Sequence, residues 1–421
     1  MKRLLSAAIC LCLVLSGCTS SANLAASPSA SPLPSDIPTA QSELPPQADT
    51  PTLSPDPSRL LGSGTIQYED GVAPLSKEQE AAILAYMTAA YEALARLEEP
   101  DFSTLFTNQA QAQASQSGII LQIGLRTLID EVDYSLTGYS YTLNCGQTVW
   151  REDGTVEMNA LETCVQNFAQ FPGVDSERGR NFHHFVLEET AEGWLIQEHM
   201  QYDILYGQLM ESEYNWRGDF SQAYVDAMPA YLESLRAAHA ARESQRGAAL
   251  ELPQADEPYN REAALAYADQ YAMDRNPEWA DFSSSGGNCQ NYVSQCLLAG
   301  GIPVDPYGDA VWTYGSGEYQ RSTSWAGVIS FLRYARNNTG FGLVSLPDAP
   351  YYSGQPGDLI QMGTEESWHH VVIIRDVVTD EAGNPIDYLI NSNTNDMSSY
   401  PASLYGYPVF SLTRVIGWNY G

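Results

Sequence analysis

Between Ser76 and Glu98, apolar residues recur every three or four positions: Ile83, Met87, Ala90, Tyr91 and Leu94. That spacing predicts a helix, with Ser76 as its N-cap and its end near Glu98, ahead of Pro100. Residues 118–210 read mainly as strands. Residues 139–144, 185–189 and 194–199 alternate apolar and polar positions, and the turn at 190–193 predicts a hairpin between the last two. Residues 216–250 predict a long helix. The stretch 251–258, with two prolines and three acids, marks a boundary. Beyond it, Cys289 opens a helix whose buried stripe is Tyr292, Val293, Cys296 and Leu297, closed by Gly300 and Gly301. Trp325, Val328, Ile329 and Leu332 form another helical stripe. Residues 355–361 turn into a strand. His370 then begins an apolar strand running to Ile374, and a further strand covers 387–393.

The first 60 residues follow neither period. Lys2 and Arg3 precede a mostly apolar run at 4–15, too short to span a bilayer, and Leu15-Ser16-Gly17-Cys18 follows. This resembles a bacterial lipoprotein lipobox, which implies removal of residues 1–17 and a lipid on Cys18 as the membrane attachment. Residues 18–60 hold nine of the 24 prolines and no aromatic residue, the composition of an extended tether. The expected organisation is a signal peptide (1–17), a tether (18–60), a small α+β domain (65–210), a helical linker (211–255) and a C-terminal domain (256–421). The expected location is the extracytoplasmic face of the cell membrane.

Charge narrows the partners. Twenty Lys and Arg stand against 52 Asp and Glu, a formal −32 over 421 residues. Such a surface repels phosphate backbones, which excludes nucleic acid as a partner. No nucleotide fingerprint or spaced Cys/His set is visible, so neither cofactor nor metal is expected. His183, His184 and His199 lie on apparent strands and read as polar-face residues rather than metal ligands.

Four cysteines lie beyond the lipobox. An exported protein has the option of bridging Cys145 and Cys164. Cys289 and Cys296 are two helical turns apart, about 10 Å, beyond disulfide reach. Cys289 follows Gly286, Gly287 and Asn288, with the glycines permitting a sharp turn and Asn288 a fitting N-cap. A thiol in the first helical turn feels the positive end of the dipole, which favours thiolate. The Cys289 N–H, with Asn288 or Gln290, is placed to receive an oxyanion. The base must come from His370 or His369, of which adjacent strand positions let only one face the thiol. His370 is favoured because it alternates with Val372 and Ile374. Asn391 or Asn393 is the candidate to orient the imidazole. Trp312, Tyr314, Tyr319 and Trp325, between the two motifs, either line a groove or pack in the core.

Residues 259–415 resemble the bacterial putative amidase domain family. The resemblance rests on residues 259–264, on 286–296 (Gly-Gly-Asn-Cys-Gln-Asn-Tyr-Val-Ser-Gln-Cys), on Gly357-Asp358-Leu359-Ile360, on His370 and the strand after it, and on Asn393-Thr394-Asn395-Asp396. That family is similar to the NlpC-type and CHAP-type papain-like amidohydrolases. The resemblance implies an α+β, papain-like C-terminal domain, with a Cys-bearing helix packed on an antiparallel sheet. It implies Cys289 as nucleophile and His370 as base. The family often has a histidine as third polar residue where this chain has Asn393, and asparagine fills that role in other papain-like enzymes. The expected function is hydrolysis of an amide bond, with cell-wall peptides as the substrate nearest to hand. A non-catalytic binding or scaffold lipoprotein is the rival.

Overall fold

Ser76 caps the first helix, α1 (Lys77–Arg96), as the spacing predicts. Its hydroxyl accepts from the Gln79 N–H at 3.3 Å, and the Gln79 side-chain oxygen accepts from the Ser76 N–H at 2.8 Å. This reciprocal cap satisfies two donors at the helix end and contributes about 1 kcal/mol. Ile83, Met87, Ala90, Tyr91 and Leu94 are all buried, so the apolar stripe is the packed face.

The computed structural model describes residues 61–202, 205, 221–308, 310–315 and 321–421. The signal peptide, the tether and Cys18 lie outside the described residues, as does Tyr319.

Residues 118–126 depart from expectation. They belong to a helix, α2 (Gln109–Arg126), not to a strand. Ile119, Leu121, Ile123 and Leu125 carry a strand-like period of two, yet all four are buried on the helix, which is enclosed on more than one side. Asn108 starts it, its side-chain oxygen accepting from the N–H groups of Ala110 and Gln111. Gly124 admits a second helix, α3 (Ser221–Glu243): a β-carbon at 124 would stand 2.8 Å from Leu232 Cδ2. α3 ends short of the expected residue 250.

The alternating segments form β2 (Leu136–Trp150), β3 (Val156–Phe168), β4 (Ser176–Thr190) and β5 (Gly193–Tyr202), preceded by β1 (Leu61–Tyr68). Thr190 pairs with Gly193 across the expected hairpin. The second half of the chain contributes β6 (Glu257–Pro258), α4 (Arg261–Tyr271), α5 (Cys289–Ala299), α6 (Thr323–Ala326) and α7 (Val328–Asn337). It continues with β7 (Gly342–Ala349), β8 (Leu359–Gly363), β9 (Trp368–Thr379), β10 (Pro385–Ser392), β11 (Met397–Pro401), a 3-10 turn (Ala402–Tyr405) and β12 (Val409–Asn419). These strands make one twelve-stranded sheet in the order β1-β2-β3-β4-β11-β10-β9-β8-β12-β6, with β5 added to β4 and β7 to β12. All pairings are antiparallel except β1 on β2. The class is mixed α+β with a large, mostly antiparallel sheet.

Residues 60–421 form one compact unit, and two cores lie within it. The larger takes Ile360, Met362, Val372, Ile374 and Ile390 from the sheet and packs them with α1 and α2. The smaller takes Leu359, Val371, Ile373 and Val415 and packs them with α5 and α7. The segments 65–210 and 256–421 meet where Met397 and Ser398 of β11 pair with Arg178 and Glu177 of β4. They meet again at Asp387, which is buried. Its Oδ2 accepts from the Tyr134 hydroxyl, and from Ser403 Oγ at 2.7 Å. Burial pushes the Asp387 pKa up, and these donors pull it down.

All four described cysteines are free thiols. Cys145 stands opposite Ala160, and Cys164 opposite Tyr141. The four-residue offset separates the sulfurs by about 13 Å along the strands, so the bridge between them does not form. No helix among the described residues is long and apolar enough to cross a membrane.

Tyr134→Phe removes a donor from a buried carboxylate whose Oδ1 already has no partner. The expected cost is about 1–3 kcal/mol, measured by urea unfolding, with β-sheet circular dichroism retained.

Candidate active site

The turn before α5 depends on Gly286 (φ 99) and Gly287 (φ 109), both in the left-handed region. A β-carbon at 287 would also press on Thr394 Oγ1 at 3.4 Å. Asn288 does not cap the helix with its side chain. Its Oδ1 accepts from the Phe282 N–H at 3.2 Å and from Asn291 Nδ2 at 2.9 Å, closing the preceding loop instead. Its Nδ2 donates to Asn393 Oδ1 at 2.8 Å, and its N–H donates to Thr394 Oγ1 at 2.5 Å. Asn291 in turn accepts from the indole of Trp325 at 2.8 Å. A continuous polar string, Trp325 to Asn291 to Asn288 to Asn393, therefore stands behind Cys289.

Cys289 is the first residue of α5 and is 6% exposed. Burial pushes its thiol above the ordinary range. Hydrogen bonds from the N–H groups of Val371, Gln290 and Cys289 itself pull it back, and burial outweighs them. The expected drift toward thiolate is therefore reversed: desolvation of the charged form exceeds the help from the helix end. Gln290, fully buried, donates to Ser294 Oγ at 3.2 Å, and its Oε1 has no partner. With the Asn288 amide spent on Asn393, backbone N–H groups are the donors left around the sulfur.

His370 is 3% exposed. Its Nε2 hydrogen-bonds the Tyr405 hydroxyl at 2.6 Å and Ser392 Oγ at 2.9 Å. Burial alone pushes its pKa down to about 3, so the ring is neutral. His370 stands opposite Met362 and alternates with Val372 and Ile374, which places it on the larger-core face of β9. Cys289 packs with Val371 and Ile373 on the other face. Among the described residues, no hydrogen bond joins the sulfur to either imidazole. The sulfur and the imidazole are thus held by different partners, the sulfur by the Val371 N–H and the ring by Tyr405 and Ser392. His369 is exposed, at a one-residue bulge where the register slips between Met362 and Gly363. Its ring lies 6.4 Å from that of Tyr407.

Neither candidate asparagine reaches His370. Asn393 is held by Asn288 and donates to the carbonyls of Tyr271 and Ala272, each at 2.8 Å. Asn391 faces α4, donating to Asp269 at 2.8 Å and accepting from the Ser399 N–H at 2.9 Å. The residues that touch the imidazole, Ser392 and Tyr405, escaped the sequence reading. Ser392 had a signal, since it shares the Ile390 face of β10. Tyr405 had none, because it arrives from a 3-10 turn after β11.

The aromatic residues divide. Trp312 and Trp325 are fully buried and stack at 5.0 Å, so they are core rather than groove. Tyr314 is half-buried, its hydroxyl accepting from the Ala280 N–H at 3.2 Å. Ile329 is 48% exposed, because Gly327 breaks the stripe between α6 and α7. In the N-terminal half, His183 and His199 are buried, not surface-facing. His199 Nδ1 hydrogen-bonds Ser115 Oγ at 3.2 Å, His199 Nε2 bonds His183 Nδ1 at 3.1 Å, and His183 Nε2 lies 3.4 Å from Glu162. Hydrogen bonding to His183 holds the Glu162 carboxyl down at about 2 against its burial. No group of three or more His, Cys, Asp or Glu among the described residues is arranged to hold a metal.

These features sit in a segment of recognisable class. Residues 258–410, which carry both Cys289 and His370, match the family model described as "Putative amidase domain". The match supports an amidase domain over that segment. Over 143 residues the chain is 31% identical to the uncharacterized protein YhbB of Bacillus subtilis (strain 168), across 33% of this chain. The chain spans 42% of that relative's length. Two solved structures align with TM-scores of 0.20. One is described as a putative aromatic ring hydroxylase from Novosphingobium aromaticivorans, at 15% identity over 30% of this chain and 90% of that one. The other is the intermembrane space region of the chloroplast protein ARC6, at 14% identity over 30% of this chain and 98% of that one. Likenesses this weak carry no argument.

The buried imidazole has a thermodynamic signature. Unfolded His370 takes a proton below about pH 6.5, whereas folded His370 resists until about pH 3. Its contribution to stability is lost as pH falls through that window, by at most about 1.4 kcal/mol per pH unit. His370→Gln should flatten that part of the urea-unfolding profile between pH 6 and 4. Parallel profiles for wild type and variant would contradict the neutral assignment.

Proposed function

We propose that this chain is a cysteine amidohydrolase carried at the cell surface as a lipoprotein, acting on amide bonds of cell-wall peptides. The observation that supports it most is the position of Cys289. It is the first residue of a helix, ringed by the N–H groups of Val371, Gln290 and Cys289, inside the segment that matches an amidase family.

In this reading the Cys289 sulfur attacks the amide carbonyl carbon as its proton passes to His370 Nδ1, the nitrogen that Tyr405 and Ser392 leave free, through a contact that closes only with substrate bound. The carbonyl oxygen becomes an oxyanion held by the Cys289 N–H and a neighbouring N–H, where one donor is worth roughly 3 kcal/mol of barrier. Collapse of the adduct returns the proton to the leaving nitrogen, and the amine departs. Water then hydrolyses the thioester, its proton taken by His370, and the carboxylic acid and thiol are released. Ser392 and Tyr405 orient the imidazole. Asn393 acts one step back, fixing Asn288 and thereby the turn that presents the thiol. Because thiol and imidazole are both neutral at rest, the proton moves only as the bond forms.

A second reading is a non-catalytic binding domain. It is favoured by the missing hydrogen bond between Cys289 and His370 and by the raised thiol pKa. The two readings part on Cys289→Ala. For the hydrolase, release of new amino groups from purified peptidoglycan, read by mass spectrometry, should fall by at least about three orders of magnitude. His370→Ala should do the same, and His369→Ala should not. Cleavage unchanged by Cys289→Ala would remove the cysteine from the mechanism.

The lipid anchor rests on the lipobox and the proline-rich stretch after it. Cys18→Ala should move the chain from the membrane fraction to the medium, as seen by immunoblot. Retention in the membrane would refute the anchor.

A further inference from the structure

A cleft opens between α2, β4, β11 and the 3-10 turn. Its polar lining is Gln122 and Arg126 from α2, Arg178 and Asn181 from β4, and Tyr400 and Tyr405 from the second half of the chain. The two parts of the sequence build it jointly, through the β4–β11 pairing.

Arg126 is the unusual member. It is 2% exposed, yet its guanidinium is met only by neutral groups. Nη2 donates to Gln166 Oε1 at 2.7 Å, Nη1 donates to the Tyr134 carbonyl at 3.4 Å, and the Phe168 ring centroid lies 5.2 Å away. A guanidinium has five N–H groups, so these two bonds leave donors to spare. Among the described residues, no Asp or Glu pairs with it. Glu162, the acid beside Arg178, is committed elsewhere. It accepts from the Tyr91 hydroxyl at 2.6 Å and from Asn181 Nδ2 at 3.1 Å, and lies 3.8 Å from Arg178. Burial works against the Arg126 charge, and the Arg178 charge adds to that. Arginine nevertheless stays protonated, so the fold holds one buried positive charge that its own described residues do not neutralise.

We propose that this cleft is a binding site for a small carboxylate. The carboxylate takes the spare N–H groups of Arg126 in the side-by-side geometry that guanidinium favours, with the carboxamides of Asn181 and Gln122 beside it. The rest of the ligand lies against Tyr400. A single negative charge suits the site better than a phosphate dianion, because one positive charge is uncompensated. Tyr405 lines the same cleft and hydrogen-bonds His370, so an occupant sits one side chain from the candidate base. Where the proposed amidohydrolase activity holds, the natural occupant is a carboxylate of the amide substrate. The binding itself does not require that reading.

The test is calorimetric titration of the purified full chain with N-acetylalanine and with N-acetylalaninamide, which differ in the charge at one end. The acid should bind, and the amide at least tenfold more weakly. Arg126→Gln should weaken the acid at least tenfold and leave the amide unchanged, with Arg126→Lys in between. Equal binding of acid and amide, no binding of the acid, or full affinity in Arg126→Gln would overturn the proposal. Should Arg126→Gln fail to fold, the acid–amide comparison on the wild type decides alone. The Cys289→Ala chain should bind the acid like wild type, so loss of the cysteine mechanism and loss of the cleft are separate results. A KM increase in Arg126→Gln, confined to carboxylate-bearing amides and without change in kcat, marks the occupant as substrate. A rate change on an uncharged amide when N-acetylalanine is added marks it as an effector.

Discussion

Four residues at the end of β10 carry the register of everything around them. Thr394 (φ 65) and Asn395 (φ 56) are both left-handed, a conformation that costs a non-glycine residue about 1–3 kcal/mol. It persists because its neighbours overdetermine it. Asp396 Oδ1 accepts from the Thr394 N–H at 3.1 Å and from Arg275 Nη2 at 2.7 Å, while Asn393 grips two carbonyls at the end of α4. From this turn Thr394 receives the Asn288 N–H and so fixes the entry to the cysteine helix. The Asn393 carbonyl accepts from Ser392 Oγ at 3.2 Å, beside the imidazole. The Asp396 carbonyl accepts from the Gly179 N–H at 2.8 Å, which ties in β4 and the N-terminal half. A disturbance here reaches the thiol, the histidine and the joint between the two parts of the chain together.

How much of this was legible in the sequence follows from where the determining interactions lie. The α1 cap, the 190–193 hairpin, the glycine turn and the start of α5 are local, set by residues within a few positions, and the sequence displays them. Residues 118–126 lie in the stretch expected to be mainly strands; their apolar residues repeat every second position, and enclosure on more than one side makes that pattern helical. At the site, the sequence placed Cys289 at its helix end correctly. It placed Asn393 beside the histidine because asparagine chemistry suits that role. The actual partners of His370 depend on how far β10 runs before it turns, and on a 3-10 turn arriving from the far side. Those are long-range facts that no local period encodes. The sign of the thiol shift has the same origin: a helix end is visible in sequence, but the depth to which it is buried is not.

Electrostatics link the remaining features. The surface is strongly acidic, yet the interior near the joint holds guanidinium groups, and the two imidazoles on either side of it, His199 and His370, are neutralised by burial. Long-range repulsion therefore disfavours any anion approaching the exterior, while the low-dielectric interior strengthens attraction for one that has entered. Selection by such an arrangement falls on small, singly charged molecules, because each added negative charge increases the repulsion on the way in.

The misregistered cysteines of β2 and β3 have a consequence for assembly. With Cys145 facing Ala160, and Cys164 facing Tyr141, no covalent closure is needed to hold the strands, and the fold rests on packing and ladder hydrogen bonds alone. The described fold therefore draws none of its stability from a disulfide, and no thiol-oxidation step stands between the unfolded strands and their native register.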